Sequence, residues 1–358
     1  MAECASGGLS QAEAIVQSLP GRICFWRFPL WKRRYLRRIF THRELVFVQD
    51  GAALRQHSDA VLILWGSTPV PAPWGGTGRV LRMEDGFLRS VGLGAELTRP
   101  LSWVLDDFGM YYDASRPSRL ENLLQHSRFA TAELERARQL RERIVAGGIS
   151  KYNVGAESWV RPPGARRIIL VPGQVESDAA IAAGCPELRS NLALLQAVRR
   201  EHPDAFLLYK PHPDVFAGLR RRGDGEDHAP KFCDQVLGNV PMERLLDQVD
   251  EVHTLTSLAG FEALLRNRPV TCHGQPFYAG WGLTRDRYPL PRRERRLTLD
   301  ELVAGVLLAY PLYIGGRGLT GPEEAISALE RWKARRQGRT PPWRGIYRAI
   351  LRRAIGVR

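Results

Sequence analysis

At 358 residues, 44% hydrophobic and 25% charged, the chain exceeds one ordinary hydrophobic core and predicts a globular protein of two domains. It has no run of about 18 apolar residues, which excludes a membrane-spanning helix. The opening "MAECASGGLSQAEAIVQSLP" lacks the basic-then-apolar order of a secretory signal. Five scattered cysteines without CxxC spacing predict reduced thiols in a cytoplasmic protein, with no disulfide and no metal.

The net charge of +14 is concentrated in two places. Residues 22–43 hold eight Lys/Arg and residues 331–358 hold ten, with no acid in either, so the rest of the chain sums to about −4. No RNA- or DNA-binding motif accompanies this charge, and nucleic acid is not an expected partner.

In chain order, "RICFWRF", "LVFVQ", "AVLILWG" and "RVLRME" read as apolar, β-rich strands, followed by one long helical pattern from about Leu120 to Val145. A Gly/Pro-rich stretch, "AGGISKYNVGAESWVRPPGAR", reads as a linker. Then come "RIILVPG" as strand, "ELRSNLALLQAVRREHP" as helix, "AFLLYK" as strand, "MERLLDQVD" as helix, "EVHTLT" as strand, "SLAGFEALLRNR" as helix and "VTCHG" as a short strand. Strands alternating with helices predict parallel sheets, and two such series predict two α/β domains with a site at the strand carboxyl ends. Thr298 with Glu301 and Thr320 with Glu323 have capping-box spacing ahead of C-terminal helices. In the tail, Trp343, Tyr347, Ile350, Leu351 and Ala354 recur at helical spacing, with Arg344, Arg348, Arg352 and Arg353 mostly off that stripe. Such a helix suits an anionic membrane surface or a solvated face docked on the protein. The expected boundaries are 20–160, 161–318 and 319–358, the last being the C-terminal helices and basic tail.

Four motifs stand where this fold places ligands. "PGQVESDAA" brings Gln174, Glu176, Ser177 and Asp178 to a strand end; Asp178 is either a nucleophile or a helix N-cap. "YKPHPD" sets Lys210 and His212 between Pro211 and Pro213, a rigid turn suited to a phosphate or carboxylate, or simply a turn. "HTLTSLAGFEALL" offers the Thr256 and Ser257 hydroxyls at a helix N-terminus, with Glu262 one turn along to accept ribose hydroxyls. Finally "HGQPFYAGWG", with His273, Gly274, Phe277, Tyr278 and Trp281, has neither helical nor strand period. Its rings either wall a base or sugar or pack beneath a neighbouring helix.

With these motifs in order, and with "MEDGFLRSVGLG", "PLSWVLDDFGMYYDA" and "SRLENLL" in the first half, the chain resembles the KpsC-type bacterial capsular polysaccharide synthesis proteins over roughly residues 20–315. The resemblance implies a GT-B-like fold of two Rossmann-type α/β domains facing across a cleft, with C-terminal helices. It implies a retaining β-Kdo transferase with CMP-Kdo as donor and a lipid-linked Kdo glycolipid as acceptor. Lys210, His212 and Ser257 then hold the CMP phosphate, Glu262 and the loop residues His273, Gly274, Phe277, Tyr278 and Trp281 surround the nucleotide, and Gln174, Pro213 and Thr256 belong to the same donor site. Retention by double displacement makes Asp178 the nucleophile and calls for an acid/base, Glu84 or in second place Asp85, with Arg89 facing the sugar carboxylate; a salt-bridged strand end is the alternative for these three. No cofactor or metal is implied.

The same resemblance implies peripheral placement at the inner face of the cytoplasmic membrane, with other capsule biosynthesis or export proteins as partners. Many family members carry two transferase modules, whereas this chain has room for one. Two rivals remain: a CDP-glycerol-type glycerophosphotransferase, which attacks phosphorus, and a non-catalytic capsule assembly or polysaccharide-binding factor.

Overall fold

The computed structural model describes residues 11–57, 60–72, 74, 78–92, 98–316 and 318–336. The basic amphipathic segment expected beyond residue 336 lies outside the described residues. The chain forms two compact units: Met1–Arg89, Arg99–Leu140 and Asp300–Ser327 in the first, and Ser90–Thr98, Arg141–Leu299 and Ala328–Arg358 in the second.

The strands are β1 (Arg22–Trp26), β2 (Glu44–Val48), β3 (Val61–Trp65), β4 (Val80–Asp85), β5 (Ser102–Asp106), β6 (Ile168–Pro172), β7 (Phe206–Lys210), β8 (Gln235–Val236), β9 (Glu251–Thr254), β10 (Val270–Cys272), β11 (Arg285–Asp286), β12 (Pro311–Ile314) and β13 (Leu319–Thr320). The first unit holds a sheet ordered β13-β12-β5-β4-β3-β1-β2. Its β2-β1-β3-β4 portion is parallel, while β4–β5, β5–β12 and β12–β13 are antiparallel. β1 shows why its sequence lacks polar alternation. Ile23 and Phe25 enter one core with Leu36, Ile39 and Phe40, while Cys24 and Trp26 enter another with Leu54, Leu62 and Leu64, so both faces are covered.

The second unit holds an entirely parallel sheet ordered β11-β10-β9-β6-β7-β8. All five residues of β6 are buried, and the helix Asn191–Glu201, capped by the Ser190 hydroxyl, packs Leu194, Leu195 and Val198 against Ile169, Val171 and Leu207. Register pairs Pro172 with Lys210 and Cys272 with Thr254. The segments after β6, β7, β9 and β10 therefore leave together at the carboxyl ends of the strands, where a parallel α/β unit gathers its ligand groups.

Three expectations need correction. The single helix over 120–145 is two, Arg119–His126 and Thr131–Ala146. Ser127 is extended between them, and Glu133 turns back to accept from Ala130 N at 2.8 Å. Residues 311–314, expected in the second domain, pair with β5 of the first sheet. Moreover, the first sheet is not parallel throughout, because β5 and the returning β12 cap its edge antiparallel.

Candidate functional site

At the end of β6, Gly173 leaves no room for a side chain: a Cβ there would lie 2.6 Å from the Tyr209 hydroxyl. Gln174 is then locked, with its Nε2 donating to Thr256 Oγ1 (3.0 Å) and its Oε1 accepting from Thr256 N (2.9 Å). Its backbone exchanges two bonds of 2.9 Å with the Asn191 side chain. Gln174 and Thr256 thus join two strand ends to each other, a framing role that satisfies the polar groups expected to face a ligand. Asn191 lies on a helix outside the strand-end motifs and is absent from the sequence-derived set.

Asp178 is exposed and caps the short helix Ala179–Gly184, with Oδ1 accepting from Ala180 N at 3.2 Å. Its capping role is therefore real. The nearby Glu176 carboxylate is occupied by Asn191 N (2.7 Å) and Asp224 N (3.1 Å).

After β7, Lys210 is buried, with Nζ donating to Gly238 O at 3.2 Å. Burial lowers its pKa to about 8, against the opposing pull of Glu243 and Glu157. His212 caps the turn of helix Pro213–Phe216, with Pro213 at its first position, and its Nδ1 accepts from Asp214 N at 3.1 Å. That bond assigns the tautomer, because an accepting Nδ1 leaves the proton on Nε2. Burial, with Lys151, Arg220 and Lys210 nearby, lowers the imidazole pKa to about 3. His212 is thus a neutral N–H donor at neutral pH, suited to a phosphate oxygen.

After β9, Ser257 caps the helix Leu258–Leu265. Glu262 on that helix accepts from Lys151 N at 2.7 Å, and burial raises its pKa to about 7. The turn bearing Lys151 also sets Tyr152 edge-on to His212, ring centroids 5.9 Å apart. Lys210, His212, Ser257 and Glu262 therefore share the strand-end region of the second unit, with Lys151 and Tyr152 as members drawn from the expected linker.

The loop after β10 is neither helix nor strand, as its missing period predicts, but its rings point inward. Tyr278 and Trp281 are 0% exposed and Phe277 is buried against Phe261. The Tyr278 hydroxyl donates to Ser257 O (2.5 Å), Trp281 Nε1 donates to Phe277 O (2.9 Å), and a Cβ on Gly260 would collide with the Tyr278 hydroxyl. The packed alternative describes these rings: they support the helix that carries Ser257 and Glu262. Gly274 is tight against Leu255 O and Gly184 O, each 2.9 Å from its would-be Cβ. His273 Nε2 lies 3.2 Å from His253 Nδ1, and His253 Nε2 lies 2.8 Å from Glu251 Oε1, a buried polar chain ending on a carboxylate that His253 and Arg167 hold below its usual range against the opposing effect of burial. Burial also lowers the His273 pKa to about 4.

In the first unit, Glu84 and Asp85 end β4. Asp85 lies between Arg89 Nε (2.6 Å) and Lys32 Nζ (3.7 Å), and Arg89 is only 2% exposed. The guanidinium assigned to a sugar carboxylate is therefore engaged with Asp85, as the salt-bridged alternative has it. Glu84 Oε1 accepts from Asp85 N at 3.0 Å, and a Cβ on Gly66 would lie 2.9 Å from both Glu84 Oε2 and Tyr112 Oη.

Lys32 was hidden in the basic run of the sequence. It is 6% exposed, with Nζ 2.8 Å from the Trp65 ring centroid, and burial lowers its pKa against the pull of Asp85 and Glu84. A signal was present: Lys32, Tyr35, Leu36 and Ile39 form the buried stripe of helix Leu30–Ile39, so the lysine occupies an apolar position.

Residues 77–313 match the model of the capsule polysaccharide biosynthesis protein family. The chain is 42% identical over 345 residues to the capsule polysaccharide modification protein LipA of Neisseria meningitidis serogroup A, covering 91% of this chain and 47% of that protein. It thus spans about half the length of that relative. It is 41% identical to the lipopolysaccharide-processing protein LpsZ of Rhizobium meliloti, covering 84% and 72% of the two chains. Among solved structures, Thermosulfurimonas dismutans KpsC, beta Kdo 2,7 transferase, superposes with TM-score 0.72 at 38% identity, covering 87% of this chain and 99% of that one. The KpsC beta Kdo 2,4 transferase gives TM-score 0.75 at 31% identity, with 87% and 98% covered. Family model and relatives agree, and the chain belongs to the capsule polysaccharide biosynthesis protein family.

Proposed function

We propose that the protein is a retaining β-Kdo glycosyltransferase that moves Kdo from CMP-Kdo to a lipid-linked, Kdo-terminated acceptor. The observation that carries this reading is the pairing of a buried cation with a neutral donor at the end of β7: Lys210, with its pKa near 8, and His212, with its proton on Nε2. Together they suit the phosphate of a nucleotide sugar. The two solved relatives named as Kdo transferases direct the choice of sugar.

In this reading the Asp178 carboxylate attacks the anomeric carbon, the bond to the phosphate oxygen breaks, and CMP leaves with that electron pair. Lys210 and His212 stabilise the leaving phosphate. The acceptor hydroxyl then displaces Asp178 while Glu84 takes its proton, so two inversions give net retention. Asp85, held by Arg89 and Lys32, acts by fixing the strand end that carries Glu84. The reading brings with it a GT-B-like arrangement and work at the inner face of the cytoplasmic membrane. No helix among the described residues is long and apolar enough to cross a membrane.

Because cationic side chains answer the donor's charge, transfer should continue in excess chelator. The test is mass spectrometry of purified protein with CMP-Kdo, generated in situ, and a synthetic Kdo-terminated glycolipid, with and without EDTA. A product heavier by one Kdo in both supports the reading, and a sharp loss with EDTA contradicts its metal-free chemistry. No product together with no CMP binding contradicts the donor site itself. For the basic tail, deletion of residues 331–358 should weaken binding to anionic liposomes; unchanged binding removes that role.

A further inference from the structure

We propose that Lys151 is a second cation of the donor site, binding an anionic oxygen of the nucleotide sugar. This rests on the donor-site reading above and deepens it.

The sequence around Lys151 reads as linker, but the backbone there is tightly built. Ser150 N donates to Asn153 Oδ1 (3.0 Å), Asn153 N to Ser150 Oγ (3.1 Å), and Asn153 Nδ2 to Ser90 O and Ser150 O (3.0 and 2.6 Å). Asn153 holds a φ of 50°, a left-handed conformation that asparagine tolerates better than most residues. The two residues inside this turn are fixed from both sides. Ser90 N donates to Lys151 O (3.2 Å) and Gly92 N to Tyr152 O (2.8 Å), while Lys151 N donates to Glu262 Oε1 (2.7 Å).

A linker needs none of this. The turn fixes a lysine and a tyrosine beside the groups assigned to the donor: Tyr152 faces His212 edge-on at 5.9 Å, and Lys151 Nζ lies 5.4 Å from the Tyr152 ring centroid. With its backbone already ordered, only the side-chain rotamers of the lysine remain to be fixed when a ligand binds. The charge of Lys151 is also one of those that keep His212 neutral. A sugar-acid nucleotide brings two anionic groups, a phosphate and a carboxylate. Lys210 answers one, and Lys151 is placed to answer the other or to share the phosphate.

Lys151→Ala isolates the ammonium, because the bond to Glu262 is made by the backbone and survives the substitution. The measurements are CMP affinity by calorimetry and KM for CMP-Kdo, on the full chain, for wild type, Lys151→Ala and Lys151→Arg. Lys151→Ala should weaken binding at least about tenfold at low salt with the unliganded Tm unchanged, Lys151→Arg should restore most of it, and the loss should shrink as salt rises. Weaker CMP affinity together with a higher KM for CMP-Kdo assigns the phosphate; a higher KM for CMP-Kdo with CMP affinity unchanged assigns the carboxylate. Both constants unchanged in Lys151→Ala, with wild type binding CMP normally, overturn the inference and leave the donor site standing. A wild type that binds no CMP removes the donor site and this inference together.

Discussion

Replacing Asp178 by alanine should reduce Kdo transfer by about a thousandfold or more, the scale seen when a covalent nucleophile is removed. Asp178 is also an N-cap, so some loss of stability is expected, about 1 kcal/mol for such a cap. The two roles separate cleanly. Asp178→Ser keeps a capping oxygen and loses the carboxylate, so it should fold like wild type and still fail to transfer. CMP affinity should survive in both variants, because the groups assigned to the phosphate are Lys210, His212 and Ser257. A variant with near-normal transfer counts against attack at the sugar and favours displacement at phosphorus.

The second large effect is expected at Lys210 and His212. Alanine at either should lower kcat/KM by about 10²–10³-fold, the range for removing a preorganised charge-stabilising donor. The pH dependence then distinguishes them. Lys210 loses its proton near pH 8 in the unliganded protein, so CMP affinity should fall as pH rises above 8, and the fall should vanish in Lys210→Ala. Its effect on the fold has the opposite sign. A lysine whose folded pKa is depressed binds fewer protons folded than unfolded, so the unliganded protein gains stability from this group as pH rises from about 8 toward 10.5. Falling affinity with rising stability is a signature that general alkaline unfolding does not produce. His212, with its pKa near 3, should leave CMP affinity unchanged across neutral pH. An inflection near pH 6.5 that disappears in His212→Ala contradicts its assignment as a neutral donor.

Much of this site is legible in the chain itself because strand ends announce themselves: an apolar run stops and a polar, Gly- or Pro-bearing segment begins. "LLYKPHPD" and "EVHTLTSLAGFEALL" place Lys210, His212 and Ser257 at the carboxyl ends of strands from pattern alone. What is not legible depends on partners far away in sequence. Gln174 and Thr256 look like ligand donors until each is found bonded to the other. Arg89 looks available until its guanidinium is found on Asp85. The rings of "HGQPFYAGWG" were ambiguous because aromatic loops serve ligands and helices alike; the contact between Gly260 and Tyr278 decides for the helix. β12 returns to the first sheet, and local pattern carries no record of which sheet a strand will join.

The most direct test is the intact mass of the protein incubated with CMP-Kdo and no acceptor. Double displacement predicts a species heavier by one Kdo residue, mapped by peptide sequencing to Asp178, absent from Asp178→Ala, and discharged when the Kdo-terminated glycolipid is added. A protein that binds CMP and transfers Kdo with retention, yet never carries the sugar on Asp178 even in Glu84→Gln, where the second step should be slowed, contradicts the account.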